Sequence, residues 1–422
     1  MKNKIAKNST IWIFVAVCWI AYSFSYIGRL NFSASMADMT SSGVLLASQA
    51  GTITTGFFIC YGGGQFLSGL LGDKMSPRWL VFTGLACSGL VNLGIAFAPP
   101  FWLMTVLWSF NGFAQAFLWA PICKIVADRV PSAKRQKACT VMATTLAAGT
   151  LFAYILSAVL ISLYGWTASF ICGMAATLFA AAVWIVVTTK IEHDADKNGV
   201  AEEGFAPAAD DGEEVPHDEV PSNLLKLFAV SGLAVLALAG GVQGVLKDCM
   251  STWVPTFITD MFDMGAVISI LTGAVLPIVG FFGPYLANRL IVKTRDELYS
   301  LFILFMISVG SLSVLTLFGK FSIVVSIISL AVTYACSLGQ HMIIIGNIPM
   351  YFYKVGKVST VTGTLNSISY VSIATVNWLT GVLVEKTGWG VVMLLWLVLA
   401  AFAAAATIVA KRRWNKFRRN LF

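Results

Sequence analysis

Charge is what this chain has least of. Asp, Glu, Lys and Arg make up 11% of its 422 residues, hydrophobic residues make up 58%, and the mean hydropathy is +0.81. Soluble domains carry roughly 25% charged residues, so a water-facing globular domain is excluded and a chain facing hydrocarbon is indicated. No glycine-rich phosphate loop ending in Lys-Ser or Lys-Thr occurs, which leaves ATP-driven pumping without support. The eight cysteines are scattered through apolar segments with no CxxC pair, so neither a disulfide framework nor a thiolate metal site is indicated. No nucleophile–base or metal-ligating constellation stands out either. An enzyme is not expected, and no cofactor or metal is assigned.

What the chain has instead is length in its apolar runs. Twelve stretches of about 20 residues or more recur at 11–36, 44–71, 79–98, 101–127, 139–163, 166–188, 225–256, 264–288, 297–317, 321–350, 358–384 and 389–410. In lipid every backbone polar group must be bonded internally, and continuous runs of this length do so as helices. The first run is too long for a cleavable signal peptide, and no small-residue cleavage site follows it. The expected fold is an all-α membrane protein of twelve transmembrane helices.

The few charges sort by side. Lys2, Lys4, Lys7, Lys74, Arg78, Arg129, Lys134, Arg135, Lys137, Arg289, Lys293, Arg295, Lys354, Lys357 and the tail KRRWNKFRR fall on one side of a twelve-span threading, and only Lys320 and Lys386 on the other. The positive-inside rule then places both termini in the cytoplasm. The sequence pI near 9.0 is a topology signal, and no nucleic-acid partner is expected. Residues 191–221, acidic and rich in Ala, Gly and Pro, read as a solvated cytoplasmic linker. His193 and His217 near its acids are not read as a metal site. The linker divides the chain into a six-helix bundle at 1–190 and a second at 222–422.

The halves read as repeats. GDKMSPR after the second span corresponds to ANRLIVKTR after the eighth, and the YGW before the sixth corresponds to the TGW before the twelfth. Asp73 and Asn288 are 215 positions apart, and Trp166 and Trp389 are 223 apart. Arg29, inside SYIGRLNFS, and Lys247, inside GGVQGVLKDCMSTWVP, are 218 apart. Two cations deep in the first helices of two pseudo-symmetric bundles, in a chain with no other buried positive charge expected, suggest a midplane site for an anion. The alternative for Arg29 is that it snorkels to outer headgroups, since hydropathy alone would end the first span near Ile27. Tyr22 and Tyr26 share a helical face with Arg29 through i, i+3 and i+4 spacing. Glycines at 62–64, 240–241 and 244 suit close helix packing or local unwinding.

These stretches resemble a known family. GDKMSPR is similar to the loop between helices two and three of the major facilitator superfamily. YIGRLNFS, YGGGQFLSGLLGDKMSPRWLVFTGL, GLVNLGIAFA, LWSFNGFAQAFLWAPICK, LKDCMSTWVPTFI and GTLNSISY resemble its organophosphate:phosphate antiporters, which exchange glycerol-3-phosphate and hexose phosphates. The resemblance implies that Arg29 grips phosphate, with Lys247 at the position of a helix-seven arginine. It also implies that Tyr22, Tyr26, Tyr61 and Tyr370 line the cavity. The chain departs from the pattern at Gln65, where a relative has lysine, at Ala147, where one has histidine, and at Leu30, where relatives have a basic residue. Asp248 stands beside Lys247, but neighbours on a helix point about 100° apart, so an ion pair between them does not follow from sequence.

The function expected is secondary transport of a small organic anion by alternating access, a sugar phosphate or other organophosphate exchanged for inorganic phosphate. The substrate-binding residues would be Arg29, Lys247, Tyr22, Tyr26, Tyr61, Gln65 and Tyr370. Candidates for coupling or gating are Asp248, His341, Lys124 and Asp73, with an anchoring role open for Lys124 and an interhelical hydrogen bond open for His341 and Gln340. Two alternatives stand beside this: a proton-coupled symporter of a sugar acid or other carboxylate, and a transporter-like membrane sensor of an organophosphate. The partners expected are the anionic substrate, inorganic phosphate and the lipid bilayer. The expected setting is the inner membrane, with the chain multi-pass and monomeric.

Overall fold

The structure is a computed structural model that describes residues 3–72, 75–199, 228, 231–352 and 358–421. Asp73 and residues 200–221 of the expected linker lie outside the described residues. The regular elements are helices: α1 (Asn8–Ser41), α2 (Ala47–Gly72), α3 (Pro77–Ala96), α4 (Phe101–Gln115), α5 (Trp119–Arg129), α6 (Ser132–Ala143), α7 (Thr145–Tyr164), α8 (Trp166–Asn198), α9 (Leu233–Gly244), α10 (Met250–Phe262), α11 (Ala266–Gly280), α12 (Phe282–Thr294), α13 (Glu297–Phe318), α14 (Ile323–His341), α15 (Val358–Thr387) and α16 (Trp389–Leu421). Two π-helical segments, Val245–Cys249 and Met342–Asn347, interrupt this series. Ten spans among the described residues are long and apolar enough to cross a membrane, and α2 with the shorter apolar Ala148–Tyr164 brings the number to twelve.

The chain divides into two compact units, Met1–Ser42 with Ile59–Gly212 and Gly43–Phe58 with Glu213–Phe422. The early turns of α2 thus group with the second unit, which hydropathy does not reveal. The reason is a glycine contact: a Cβ on Gly51 would stand 3.1 Å from Gly381 Cα, and one on Gly381 would stand 2.6 Å from the Ala47 carbonyl. Backbone approach of this kind needs a residue without a side chain. Thr55 Oγ1 donates to the Ala374 carbonyl at 2.9 Å beside it.

In the first unit α1 lies against α7 and α8, and α8 lies against α3. Phe14, Cys18, Leu85, Ile125 and Trp184 fill the interior between them. In the second unit α13 packs on α14 and α16, and α9 packs on α15 and α16. Outward faces carry Leu90, Trp102, Leu163 and Phe179, each more than half exposed. Such apolar surface suits acyl chains and would be an aggregation hazard in water. The fourth span breaks at 116–118, between α4 and α5. Pro121 follows, and its missing N–H leaves the Phe117 carbonyl without its i+4 donor.

Two expectations need correction. The helix entering the linker does not end near 190, because α8 runs to Asn198. And Arg29 and Lys247 are not the only cations withdrawn from solvent: Arg129 is 3% exposed and Lys4 6%. Both corrections have one cause. Arg129 bonds Glu192 at 3.3 Å and Asp196 on the extension of α8, and Glu192 also bonds Arg78 at 3.2 Å. Arg129 further donates to the Asn3 carbonyl, its own carbonyl accepts from Ile5 N at 2.9 Å, and Lys4 donates to the Asp128 carbonyl. Burial disfavours the Arg129 charge, but the bonds and charges of Asp196 and Glu192 outweigh that and push its pKa above the ordinary arginine value. The clasp therefore keeps its cation throughout the physiological pH range.

Glu192 joins two arginines, so Glu192→Gln should destabilise the first unit by about 1–3 kcal/mol. The fall is expected as a lower unfolding temperature in detergent. Lys197→Gln, at an exposed position of the same helix, should leave that temperature unchanged.

Candidate functional site

In the first unit the site is built on the middle of α1. The helix does not stop near Ile27 but continues past Arg29 to Ser41, and the residues that follow Arg29 include the buried Asn31, Ser33 and Ser35. The guanidinium of Arg29 lies 4.5 Å from the centroid of the Tyr61 ring and 5.8 Å from that of Tyr26. Tyr26 and Tyr61 are 8% and 5% exposed, so the cation is turned onto side chains of α1 and α2. Tyr22 meets Tyr26 edge-on at 5.4 Å and leans on Trp119 at 4.7 Å. Tyr22, Tyr26, Arg29 and Tyr61 are thus gathered into one cluster; helical spacing implies this for the three on α1, whereas Tyr61 comes from α2. Arginine over a ring face is attracted by its quadrupole.

Behind Arg29 stands a network that reading the sequence for charge does not reveal. Asn92 and Asn111 each donate to the Gly28 carbonyl at 3.0 Å, and Gln115 donates to the Ser25 carbonyl at 3.1 Å. Ser88 links them, donating to Asn111 Oδ1 at 2.7 Å and accepting from Gln115 Nε2 at 2.9 Å. Asn31 donates to Asn92 Oδ1 at 2.6 Å, and its own Oδ1 accepts from Phe32 N at 3.0 Å. Asn31, Ser88, Asn92, Asn111 and Gln115 are at most 3% exposed. Such amides are expensive in an apolar interior unless bonded, and here they are spent on the α1 carbonyls that flank Arg29. Two glycines make the approach possible. A Cβ on Gly28 would meet Thr177 and Asn92, and one on Gly173 would fall 2.7 Å from Asn31 Nδ2 and Asn92 Oδ1. Amides inside GLVNLGIAFA and LWSFNGFAQ were the available signal; their partners, on other helices, were not.

In the second unit Lys247 and Asp248 occupy the π-helical segment between α9 and α10. Lys247 Nζ is 3.3 Å from Asp248 Oδ2, with both side chains about one-fifth exposed. The pair that α-helical geometry leaves open is formed, within the π-helical segment. Gly244 immediately precedes the turn, and a Cβ there would collide with the Ser369 hydroxyl of α15. Gln243, fully buried, donates to the Ser337 carbonyl at 3.2 Å and lies 3.4 Å from His341 Nδ1. His341 ends α14, at the start of the second π segment. Its neighbour Gln340 turns elsewhere, donating to Ser308 Oγ at 3.2 Å. Trp253 Nε1 donates to Asn377 Oδ1 at 2.9 Å and anchors α10 on α15.

The remaining sequence candidates are less concentrated. Tyr370 is half-buried on α15, adjacent to Ser369. Gln65 is half-buried one turn beyond Tyr61 on α2, and Lys124 is half-buried on α5 between Trp119 and Arg129. Asp73 lies outside the described residues. Of the expected small-residue positions, Gly64 packs closely on Ala116 and Phe113, whereas Gly63 has open space around it.

The chain is similar to known proteins along much of its length. It is 34% identical over 105 residues to the membrane sensor protein UhpC of Salmonella typhimurium, covering 25% of this chain and 24% of that protein. It is 23% identical over 290 residues to a probable hexose phosphate transport protein of Chlamydia trachomatis, covering 64% of this chain and 62% of that protein. The matches thus span about a quarter of the one relative and under two thirds of the other. Among solved structures, a bacterial homologue of the human lysosomal transporter Spinster superposes with a TM-score of 0.73 at 14% identity, over 97% of this chain and 99% of that one. This likeness is one of fold. The family model of the Major Facilitator Superfamily matches residues 18–377. With that match over most of its length, the twelve-helix chain belongs to the Major Facilitator Superfamily.

Proposed function

We propose that this protein is a secondary active transporter of a small organic anion, an organophosphate such as a sugar phosphate, with inorganic phosphate as the counter-substrate and alternating access as the mechanism. The observation that carries the reading is Arg29, an always-charged fork placed among the Tyr26 and Tyr61 rings with its helix backbone held by three buried amides. A phosphate needs positive charge and hydrogen-bond donors. Arg29 and Lys247 would supply the charge, and Tyr22, Tyr26, Tyr61, Gln65 and Tyr370 the donors. Asp248, His341 and Lys124 are placed in coupling or gating, and Asp73 keeps that proposed role from its motif. The relative named a probable hexose phosphate transport protein supports an organophosphate. The setting proposed is the inner membrane, with both termini cytoplasmic by the distribution of lysine and arginine, and the protein monomeric.

A second reading, a sensor that binds the anion without moving it, is favoured by the 34% identity to a membrane sensor protein over 105 residues. The same experiment separates the two. Proteoliposomes loaded with inorganic phosphate should accumulate labelled organophosphates by counterflow. They should not accumulate neutral sugars, and sugar acids should be taken up only weakly. Binding without counterflow would favour the sensor, and preference for sugar acids would favour a carboxylate carrier. Lys247→Gln should abolish counterflow while Lys247→Arg preserves it, since arginine adds a second contact point at unchanged charge.

The amide network gives a further expectation. Asn111→Leu removes one donor to the Gly28 carbonyl and leaves the Ser88 hydroxyl without its acceptor, which should cost about 1–3 kcal/mol of stability. If the network sets the position of Arg29, KM for the anion should rise with the loss, whereas a merely structural role would lower the unfolding temperature alone.

A further inference from the structure

We infer that Asp248 is a resident counter-ion that allows this protein to reorient without a bound anion, so that it catalyses net movement of its substrate as well as exchange. The inference rests on the proposed reading of Lys247 as an anion-binding cation and concerns how that site behaves when empty.

An exchanger is obligatory when its empty form cannot change state. Two bare cations in a low-dielectric wall supply such a block, because an uncompensated charge there is costly and only a bound anion removes it. The Lys247 side of this site is not bare. Its Nζ lies 3.3 Å from Asp248 Oδ2, and both side chains are largely withdrawn from solvent yet accessible, at 17% and 21% exposed. The opposite charge is already present before any substrate arrives.

The position of Asp248 matters as much as its charge. A counter-ion on another helix can be pulled away when helices shift, and would then act as a latch for one state. Asp248 is the next residue in the same π turn, so any rigid-body movement of the second unit carries both members together. Neutralisation of Lys247 is therefore independent of conformation. The turn is seated at its start, where a Cβ on Gly244 would collide with Ser369 and Ile373 of α15. Thr252 Oγ1 donates back to the Asp248 carbonyl at 2.6 Å within the same helix. On the other half of the proposed site, the Arg29 guanidinium rests on the rings of Tyr26 and Tyr61, which attract a cation and lower the cost of the empty state further.

Substrate binding remains possible because the lysine ammonium has three donors. An incoming phosphate takes one or two of these and displaces or shares with the Asp248 carboxylate. No proton, electron or covalent bond changes hands in this step. The consequence is a carrier whose anion affinity is moderated by an internal competitor and whose empty form is mobile.

The test uses the full chain in proteoliposomes loaded with radiolabelled inorganic phosphate, with membrane voltage clamped by potassium and valinomycin. Efflux is followed into phosphate-free medium and into medium containing phosphate, and the ratio of the two rates is taken within one preparation, so the amount of folded protein cancels. The parent should release phosphate into phosphate-free medium at a rate comparable to exchange. Asp248→Asn should lower that ratio by at least about tenfold, one decade for each 1.36 kcal/mol added to the barrier, while Asp248→Glu retains it. Release from the parent only when phosphate is present outside would overturn the inference whatever the variants do. An unchanged ratio in Asp248→Asn would overturn it as well. If the parent shows neither flux, phosphate is not a substrate and the reading on which the inference rests falls with it.

Discussion

A side chain that cannot lose its positive charge, placed in a helix built for hydrocarbon, is the constraint around which the first half of this protein is organised. Arg29 cannot be neutralised by deprotonation, so its surroundings must accommodate it. They do so by aromatic faces from α1 and α2 on one side and by a backbone held in place from α3 and α4 on the other. The amides of Asn92, Asn111 and Gln115 do not touch the charge. They fix the carbonyls of the turn that carries it, which is how a long and flexible side chain acquires a defined starting point.

The second half meets the corresponding constraint differently. Where the first unit surrounds an arginine with rings, the second gives a lysine a carboxylate from the next residue of the chain, within a π-helical segment. A π turn costs regular hydrogen bonding and is often found at functional sites. Here it occurs next to Gly244, where a side chain would collide with α15, and next to the buried Gln243 that reaches toward His341. A third cationic centre, Arg129, is buried as well, but two carboxylates, Glu192 and Asp196, and the N-terminal segment satisfy it. It serves as a clasp at the end of α8 and does not belong with the other two.

Much of this was legible in the residues. The helices follow from run length because lipid leaves the backbone no alternative, and the grouping of Tyr22 and Tyr26 with Arg29 follows from helical spacing. Other features depend on partners distant in sequence. Hydropathy ends the sixth span near 188 because charges begin there, yet Glu192 and Asp196 extend the helix by pairing with Arg129 more than 60 positions away. The amides of α3 and α4 look like isolated polar residues until α1 is laid across them. The Lys247–Asp248 pair was invisible for a different reason: residue order is known from sequence, but the side-chain conformations that bring the two groups to 3.3 Å are not.

The central claim is that Arg29 holds an anion and does not serve merely as an anchor for α1, and equilibrium binding in detergent tests it most directly. An anchor requires only charge, so Arg29→Lys would bind a sugar phosphate as the parent does. A clamp requires the planar fork, and charge-assisted bonds of this kind are worth about 1.5–3 kcal/mol. Loss of part of that should weaken binding by about tenfold, with expression and unfolding temperature unchanged. Equal affinities for the parent and Arg29→Lys would contradict the account.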